Sequence, residues 1–324
     1  MFAAYADSFA SSDADPLTGL VLGERPDPVA PEGWTTITVK AASLNHHDLW
    51  SLRGVGLRED ALPMILGCDA AGLDEDGNEV VVHAVVSDPS WTGDETLDPR
   101  RSLLSERYQG TLADRVVVPK RNVVPKPASL SFEEAACLPT AWLTAYRMLF
   151  TQGALKAGDT VLVQGAGGGV ATALITLARA GGLRVLVTSR DEAKRTKALE
   201  LGAHEAFESG ARLPVKVDAV METVGKATWG HSIRALRPGG RIVISGTTSG
   251  ADVADAELTR IFFLQLSVIG STMGTRGELA GLVNLLDGTG ARPLIDRVLP
   301  MEEARDGFAA MAAGDVFGKI VFTR

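Results

Sequence analysis

The sequence predicts an α/β protein in two parts, a β-rich first third followed by a doubly wound parallel sheet, and three observations carry that expectation. The chain has 324 residues, more than one compact core usually holds. Its first third contains TTITVKAASL, NEVVVHAVV and TLADRVVVP, β-branched runs separated by Gly, Pro and Asp, which read as antiparallel strands. From Ser129 onward apolar runs alternate with amphipathic stretches, the pattern of a parallel sheet with helices on both faces.

The elements follow in order. SFEEAACLPTAWLTAYRMLF opens with Ser131 and Glu134 at capping-box spacing and keeps apolar residues at helical intervals, so it reads as one or two helices. TVLVQG, RVLVTS, DAVMETV, RIVISGTT and LSVIGSTM read as strands, with helices over VATALITLARAGG, DEAKRTKALELGA and ATWGHSIRALR between them. The tail returns to a helix, MEEARDGFAAMAAG, and a closing strand, KIVFTR. The polar stretch from Ser87 to Gln109 reads as a long surface loop.

Composition narrows the function classes. Hydrophobic residues at 45% and charged residues at 22% leave no disordered bulk, which fits a folded enzyme or binding protein. A net charge of −8 without any basic run argues against a phosphate-backbone binder. The N-terminus has no basic n-region or apolar h-region, and no window nears about 18 uninterrupted apolar residues, so the expected location is cytoplasmic, with no membrane partner. Cys68 and Cys137 stand alone, which excludes a disulfide framework and a four-cysteine zinc lobe.

Two segments carry chemistry-bearing side chains, SLNHHDLW from Ser43 to Trp50 and LGCDAAG from Leu66 to Gly72. Imidazole, thiolate and carboxylate all bind zinc, so His46 or His47 with Cys68 and Asp69 is one reading. Adjacent histidines on a strand or turn point apart, which weighs against it. His83, in VVVHAVV, reads as a strand histidine, and Asp48 and Asp69 as carboxylates that hold the turn.

VLVQGAGGGVATALITLA places a strand, a glycine cluster and a helix in direct succession. A dinucleotide pyrophosphate needs this order, because small residues admit the backbone and the helix N-terminus offers free N–H groups. Gly165, Ala166, Gly167, Gly168, Gly169 and Val170 form that turn. At the end of the next strand Ser189, Arg190 and Lys194 stand where a ribose 2′-substituent is read, and their charge favours NADPH over NADH. Two alternatives stay open: Ser189 and Glu192 at capping-box spacing, and Asp191 accepting from a 2′-hydroxyl of NADH.

From about Gly33 to its end the chain resembles the medium-chain dehydrogenase/reductase superfamily, through AASLNHHDLWSLRG, LPMILGCDAAG, GTLADRVVVP, SFEEAACLPTAWLTAY, VLVQGAGGGVA, LRPGGRIVISG, SVIGSTMGTRGEL and FGKIVF in that order. The resemblance implies a GroES-like catalytic domain over residues 1–126, a Rossmann cofactor domain over 127–273, and a return over 274–324 that completes the first. Zinc alcohol dehydrogenases of this superfamily carry Cys at the place of Asn45, Gly-His-Glu at Gly67-Cys68-Asp69, and a third ligand near Thr140 and Ala141. Asn45 and the GCDAAG run are instead similar to the zinc-independent quinone oxidoreductase-like branch. A tyrosine often found after Leu-Gly-Ala in that branch is absent, with Phe207 and Ser209 in its neighbourhood, so dual use of NADH and NADPH stays open.

The implied activity is hydride transfer from NADPH to a quinone or α,β-unsaturated carbonyl without a catalytic metal, since a conjugated acceptor delocalises its own oxyanion. The implied site has Asn45 orienting substrate or cofactor, His47, Thr144 and Tyr146 as hydrogen-bond or proton donors, and Thr140, Gly246 and Thr247 beside the cofactor. An Asn in a tight turn also has a structural use, bonding its own backbone. Alternatives are an enoyl-thioester reductase, a zinc alcohol dehydrogenase with unusual ligands, and a non-catalytic NADPH-binding protein. LSVIGSTM near the sheet edge suggests a homodimer.

Overall fold

The computed structural model describes residues 1–10 and 15–324. They form two units, Met1–Leu143 with Met273–Arg324, and Thr144–Thr272. Residues 127–143, read from the sequence with the cofactor-binding half, pack with the first unit.

The first unit is built on a seven-stranded sheet whose order is 123–125, 79–82, 69–73, 34–43, 319–323 and 295–300, with Arg115–Pro119 paired to the start of Trp34–Ser43. Trp34–Ser43 is ten residues of mostly β-branched and small side chains that alternate between buried and less buried faces over their first half. Its far end is buried on both faces, between Asp69–Leu73 on one side and Lys319–Thr323 on the other. In antiparallel register Ser43 faces Asp69 on one neighbour and Val321 on the other. Continued by two residues, the second register sets Lys319 opposite Asn45. The helix Ala304–Ala313 lies against the closing strand through Gly307, where a Cβ would come within 2.6 Å of the Phe322 ring. Phe2–Ala6, Leu20–Glu24 and Met64–Ile65 add a small three-stranded sheet that lacks a clear alternating pattern in sequence.

Three local expectations are corrected. Asn45 caps a helix, His46–Ser51, so the paired histidines sit in a helical first turn and not on a strand. The Ser87–Gln109 stretch is not wholly loop, since Ser102–Leu103 pairs with Val85–Val86. The helix Glu192–Glu200 is capped by Asp191, whose side chain accepts from Lys194 N at 3.1 Å, and not by Ser189. Asp191 lies two residues nearer the helix, the position from which an Asx side chain reaches the third backbone N–H. The Ser131–Glu134 capping box forms as expected, at 3.1 and 2.9 Å.

The second unit is a six-stranded, wholly parallel sheet ordered 205–207, 184–188, 160–164, 217–222, 236–244 and 267–270. The first strand in sequence lies in the middle and the order reverses there, which opens a crevice at the strands' carboxyl ends. Thr160–Gln164 is buried throughout its apolar run, as a strand covered on both faces must be. The helix Gly169–Ala180 follows it directly, with no residue between the glycine cluster and the first helical turn.

Candidate functional site

In the first unit the site grows from the ends of three strands. Asp69 is fully buried, and its Oδ2 accepts from Ser43 Oγ at 2.7 Å, Asn45 Nδ2 at 2.8 Å and Lys319 Nζ at 3.2 Å. Lys319, itself 2% exposed, completes its three donors on Asn45 Oδ1 at 2.7 Å and Leu44 O at 2.8 Å. The Asn45 amide is thereby oriented at both ends. Asp69 Oδ1 and Thr140 Oγ1 are buried without a partner. Asp48 holds the helix start from below: Oδ2 accepts from Asn45 N at 2.8 Å and Oδ1 from Gly67 N at 2.9 Å. Burial pushes the Asp48 carboxyl above the usual range, against the nearby His47 charge and these two amides.

His47 is committed on both sides of its ring. Nδ1 lies 3.5 Å from Cys68 Sγ, and Nε2 lies 3.1 Å from Glu106 Oε1. Its pKa is pushed up to about 11 by the Cys68 sulfur first and by the Glu106 hydrogen bond, with burial opposing. Burial also raises the Cys68 thiol, the imidazole working against it. The sulfur is 1% exposed and donates to Leu104 O at 3.2 Å, so we take the thiol as neutral and assign the hold on the imidazolium to Glu106. Glu106 follows Ser105, a fully buried residue held at φ 65°. His83 is a buried strand-end histidine on Gly274 O at 2.9 Å.

These side chains do not make a zinc cradle. The Asn45 oxygen and one Asp69 oxygen face a fixed ammonium, which would repel a dication at that position. Cys68 Sγ faces a carbonyl and the His47 ring, whose other nitrogen is spent on Glu106. Among the described residues no three His, Cys, Asp or Glu side chains converge for a metal.

The second unit fits a dinucleotide. Gly165 takes φ 83°, Gly168 is open to solvent, and a Cβ on Gly167 would sit 2.9 Å from the Lys194 side chain, which therefore lies over the glycine turn. Ala166 is buried, and Val170 is in the helix's first turn. Ser189 is nearly buried with Oγ accepting from Asp191 N at 3.2 Å, and Arg190 is exposed at the same strand end. Asp191 gives one carboxylate oxygen, Oδ1, to the helix cap. Gly246 and exposed Thr247 follow the strand Leu236–Ile244.

Of the remaining candidates, Thr140 belongs to the first unit, with Asn45 and His47, and Thr144 and Tyr146 to the second. Thr144 is buried, and Tyr146 packs edge-on against Phe150, ring centroids 5.2 Å apart. Lys319 and Glu106 escaped the sequence reading. A lysine opening the apolar run KIVF was the one visible sign of the first, and nothing local marked the second.

Residues 31–128 match the family Alcohol dehydrogenase GroES-like domain and residues 169–288 the family Zinc-binding dehydrogenase. A crystal structure of an NAD-dependent alcohol dehydrogenase superposes with a TM-score of 0.90 at 32% identity, each chain covered to 100%. The chain belongs to the medium-chain dehydrogenase/reductase superfamily. It is an NAD(P)H-dependent oxidoreductase, with the GroES-like and Rossmann-like domains of that superfamily. Among curated members it is 28% identical to the acryloyl-coenzyme A reductase of Sulfurisphaera tokodaii, over 94% of this chain and 97% of that protein. It is also 28% identical to the quinone oxidoreductase of Mus musculus, over 86% and 85%.

Proposed function

We propose that this superfamily member is an NADPH-preferring reductase of conjugated carbonyls, quinones or enones, that works without a catalytic metal. The observation that carries the reading is the commitment of Asn45 and Asp69 to Lys319. A site whose carboxylate and amide oxygens already serve an ammonium has no Lewis acid to stabilise the alkoxide of a simple alcohol–ketone pair. A conjugated acceptor spreads the same charge over its own π-system, and a few donors suffice. The nicotinamide, when bound, supplies the hydride. The first unit contributes orientation by the locked Asn45 amide, and Thr144 and Tyr146 are the hydroxyl donors that the second unit offers. The two named reductases among the relatives support the substrate class, which includes enoyl thioesters.

Arg190, with Lys194 over the glycine turn, supports a 2′-phosphate partner, and Asp191 already gives one carboxylate oxygen to the helix cap. The strand Ser267–Gly270 closes the sheet with Val268 46% exposed, beside Phe262 and Phe263 at 69% and 76%, which supports pairing with a second copy of this chain. A competing reading, NAD-linked alcohol oxidation, is favoured by the alcohol dehydrogenase of known structure.

The test is a substrate panel of 1,4-quinones, enones, enoyl thioesters and primary alcohols, assayed with NADPH and NADH or their oxidised forms, with and without a chelator. Chelator-resistant reduction of the first three classes is expected. Chelator-sensitive alcohol oxidation would replace this reading with the competing one.

A further inference from the structure

At the carboxyl ends of the central strands of the second unit lies a buried carboxylate with no assigned role. Glu222 ends the strand Val217–Glu222 and is 0% exposed. Its Oε1 accepts from Val224 N at 2.8 Å and Gly225 N at 3.0 Å, and its Oε2 from Ser232 Oγ at 2.6 Å, with Thr228 Oγ1 2.9 Å from each oxygen. Such charge-assisted bonds are short and strong when buried, because the donors stand in for water the carboxylate has lost.

The bonds continue in one direction. Ser232, having given its proton to Glu222, accepts from Gln164 Nε2 at 2.8 Å. The same amide nitrogen lies 2.9 Å from His231 Nδ1. His231 Nε2 faces Ala211 O at 2.9 Å, and a carbonyl only accepts, so the proton of the neutral ring is on Nε2 and Nδ1 is the acceptor. That fixes which way the Gln164 amide points, and its oxygen is left to accept from Thr188 Oγ1. The direction of each bond from Thr188 through Gln164 to Ser232 and Glu222 is thus assigned.

The places this chain joins give it meaning. Gln164 immediately precedes the glycine turn at Gly165, and Thr188 immediately precedes Ser189 and Arg190. Glu222 holds the Thr223–Gly225 turn, onto which Ser249 N bonds at 2.8 Å to Val224 O and Thr248 N at 3.2 Å to Thr223 O. A Cβ on Gly225 would lie 3.0 Å from Thr247 Cα, so that turn and the Gly246–Thr247 segment are in close contact. The three rim segments singled out for the dinucleotide are therefore tied by one buried set of side chains.

We infer that Gln164 and Glu222, linked through Ser232 and with Thr188 held on the Gln164 oxygen, are positioning residues that set the spacing of the three cofactor-binding segments. They touch no cofactor themselves and act by holding the backbone amides and side chains that do. This goes beyond the proposed substrate class and does not depend on it, since binding of the dinucleotide is the readout.

Thr188→Val removes only the hydroxyl that the Gln164 oxygen needs, and Thr188→Ser keeps it. Gln164→Met and Glu222→Gln interrupt the chain further along. NADPH affinity is measured on the full-length protein by the fluorescence change of the bound nicotinamide, well below each variant's melting temperature. Thr188→Val, Gln164→Met and Glu222→Gln are expected to weaken NADPH binding by at least about tenfold, with kcat at saturating NADPH changed by less than about twofold. Thr188→Ser is expected to bind as the wild type. If Thr188→Val and Thr188→Ser bind NADPH equally well while the valine variant melts earlier, the network is a structural device only and the inference is wrong. Unchanged affinity with lowered kcat overturns it too. The threonine pair keeps the test decisive should the other two variants fail to fold.

Discussion

Lys319 Nζ stands 2.7 Å from Asn45 Oδ1, two residues 274 positions apart in the chain. The ammonium also meets Asp69, so a covalently held cation sits among donors that a metal would otherwise require. A buried pair of this kind is costly to break from one side, because the remaining charge has neither water nor partner.

Lys319→Met is therefore expected to destabilise the protein by about 3–5 kcal/mol, and Lys319→Met with Asp69→Asn by clearly less. Urea unfolding of the two single variants and the double variant measures the coupling. Purely additive losses would show that the pair is not a unit. Freeing the Asn45 amide should also lower kcat/KM by about a hundredfold, if that amide orients a reactant.

Dialysis against a strong chelator should leave activity and melting temperature unchanged, and elemental analysis of the purified protein should find well under one zinc per chain. One tightly held zinc per chain, lost together with turnover, contradicts the metal-free reading.

The pH dependence follows from His47, whose folded pKa is raised above the reference of 6.5, with the Glu106 hydrogen bond as the cause that stands beside a neutral Cys68 thiol. The folded state then holds the proton more tightly, so its contribution is full below pH 6.5 and is lost as the pH rises through the raised folded value. The stability difference between wild type and His47→Asn should shrink across that window. Glu106→Gln should remove about 1–2 kcal/mol of stability below it, as loss of a hydrogen bond between charged groups does. A difference that grows with pH would refute the assignment.

Arg190→Ala is expected to weaken NADPH by about tenfold and leave NADH within about twofold, since only the 2′-phosphate engages the guanidinium. Equal losses for both cofactors, measured by titration, would mean that Arg190 does not read the phosphate.

Phe263→Glu with Val268→Asp should turn a dimer into a monomer in sedimentation, with little change in the unfolding of the isolated chain, because both side chains are exposed in the single copy. A wild type that already sediments as a monomer removes the homodimer.

How much of this was legible in advance differs between the two units. Alternation of strands and helices, the Ser131–Glu134 cap and the strand–glycine–helix succession are local signals, and the structure carries each of them. The glycine turn could be read because its demand is local too: small residues and a free helix start. The helix at His46–Ser51 was missed because six residues are too few to show a helical period, and the cap at Asp191 because Ser189 offers the same chemistry two residues earlier.

What the amino-acid order determined by itself is the class of each segment, the βα alternation and the strand–glycine–helix turn, all of which follow from patterns a few residues long. Tertiary structure alone decided that Lys319 answers Asn45 and Asp69, that Glu106 reaches His47, and that Gln164 points its amide towards Ser232. Pairings across strands depend on register, and here the ladder slips between Val39 and Ala41. A slip of one residue turns every later side chain to the opposite face, and only the folded sheet specifies which register holds.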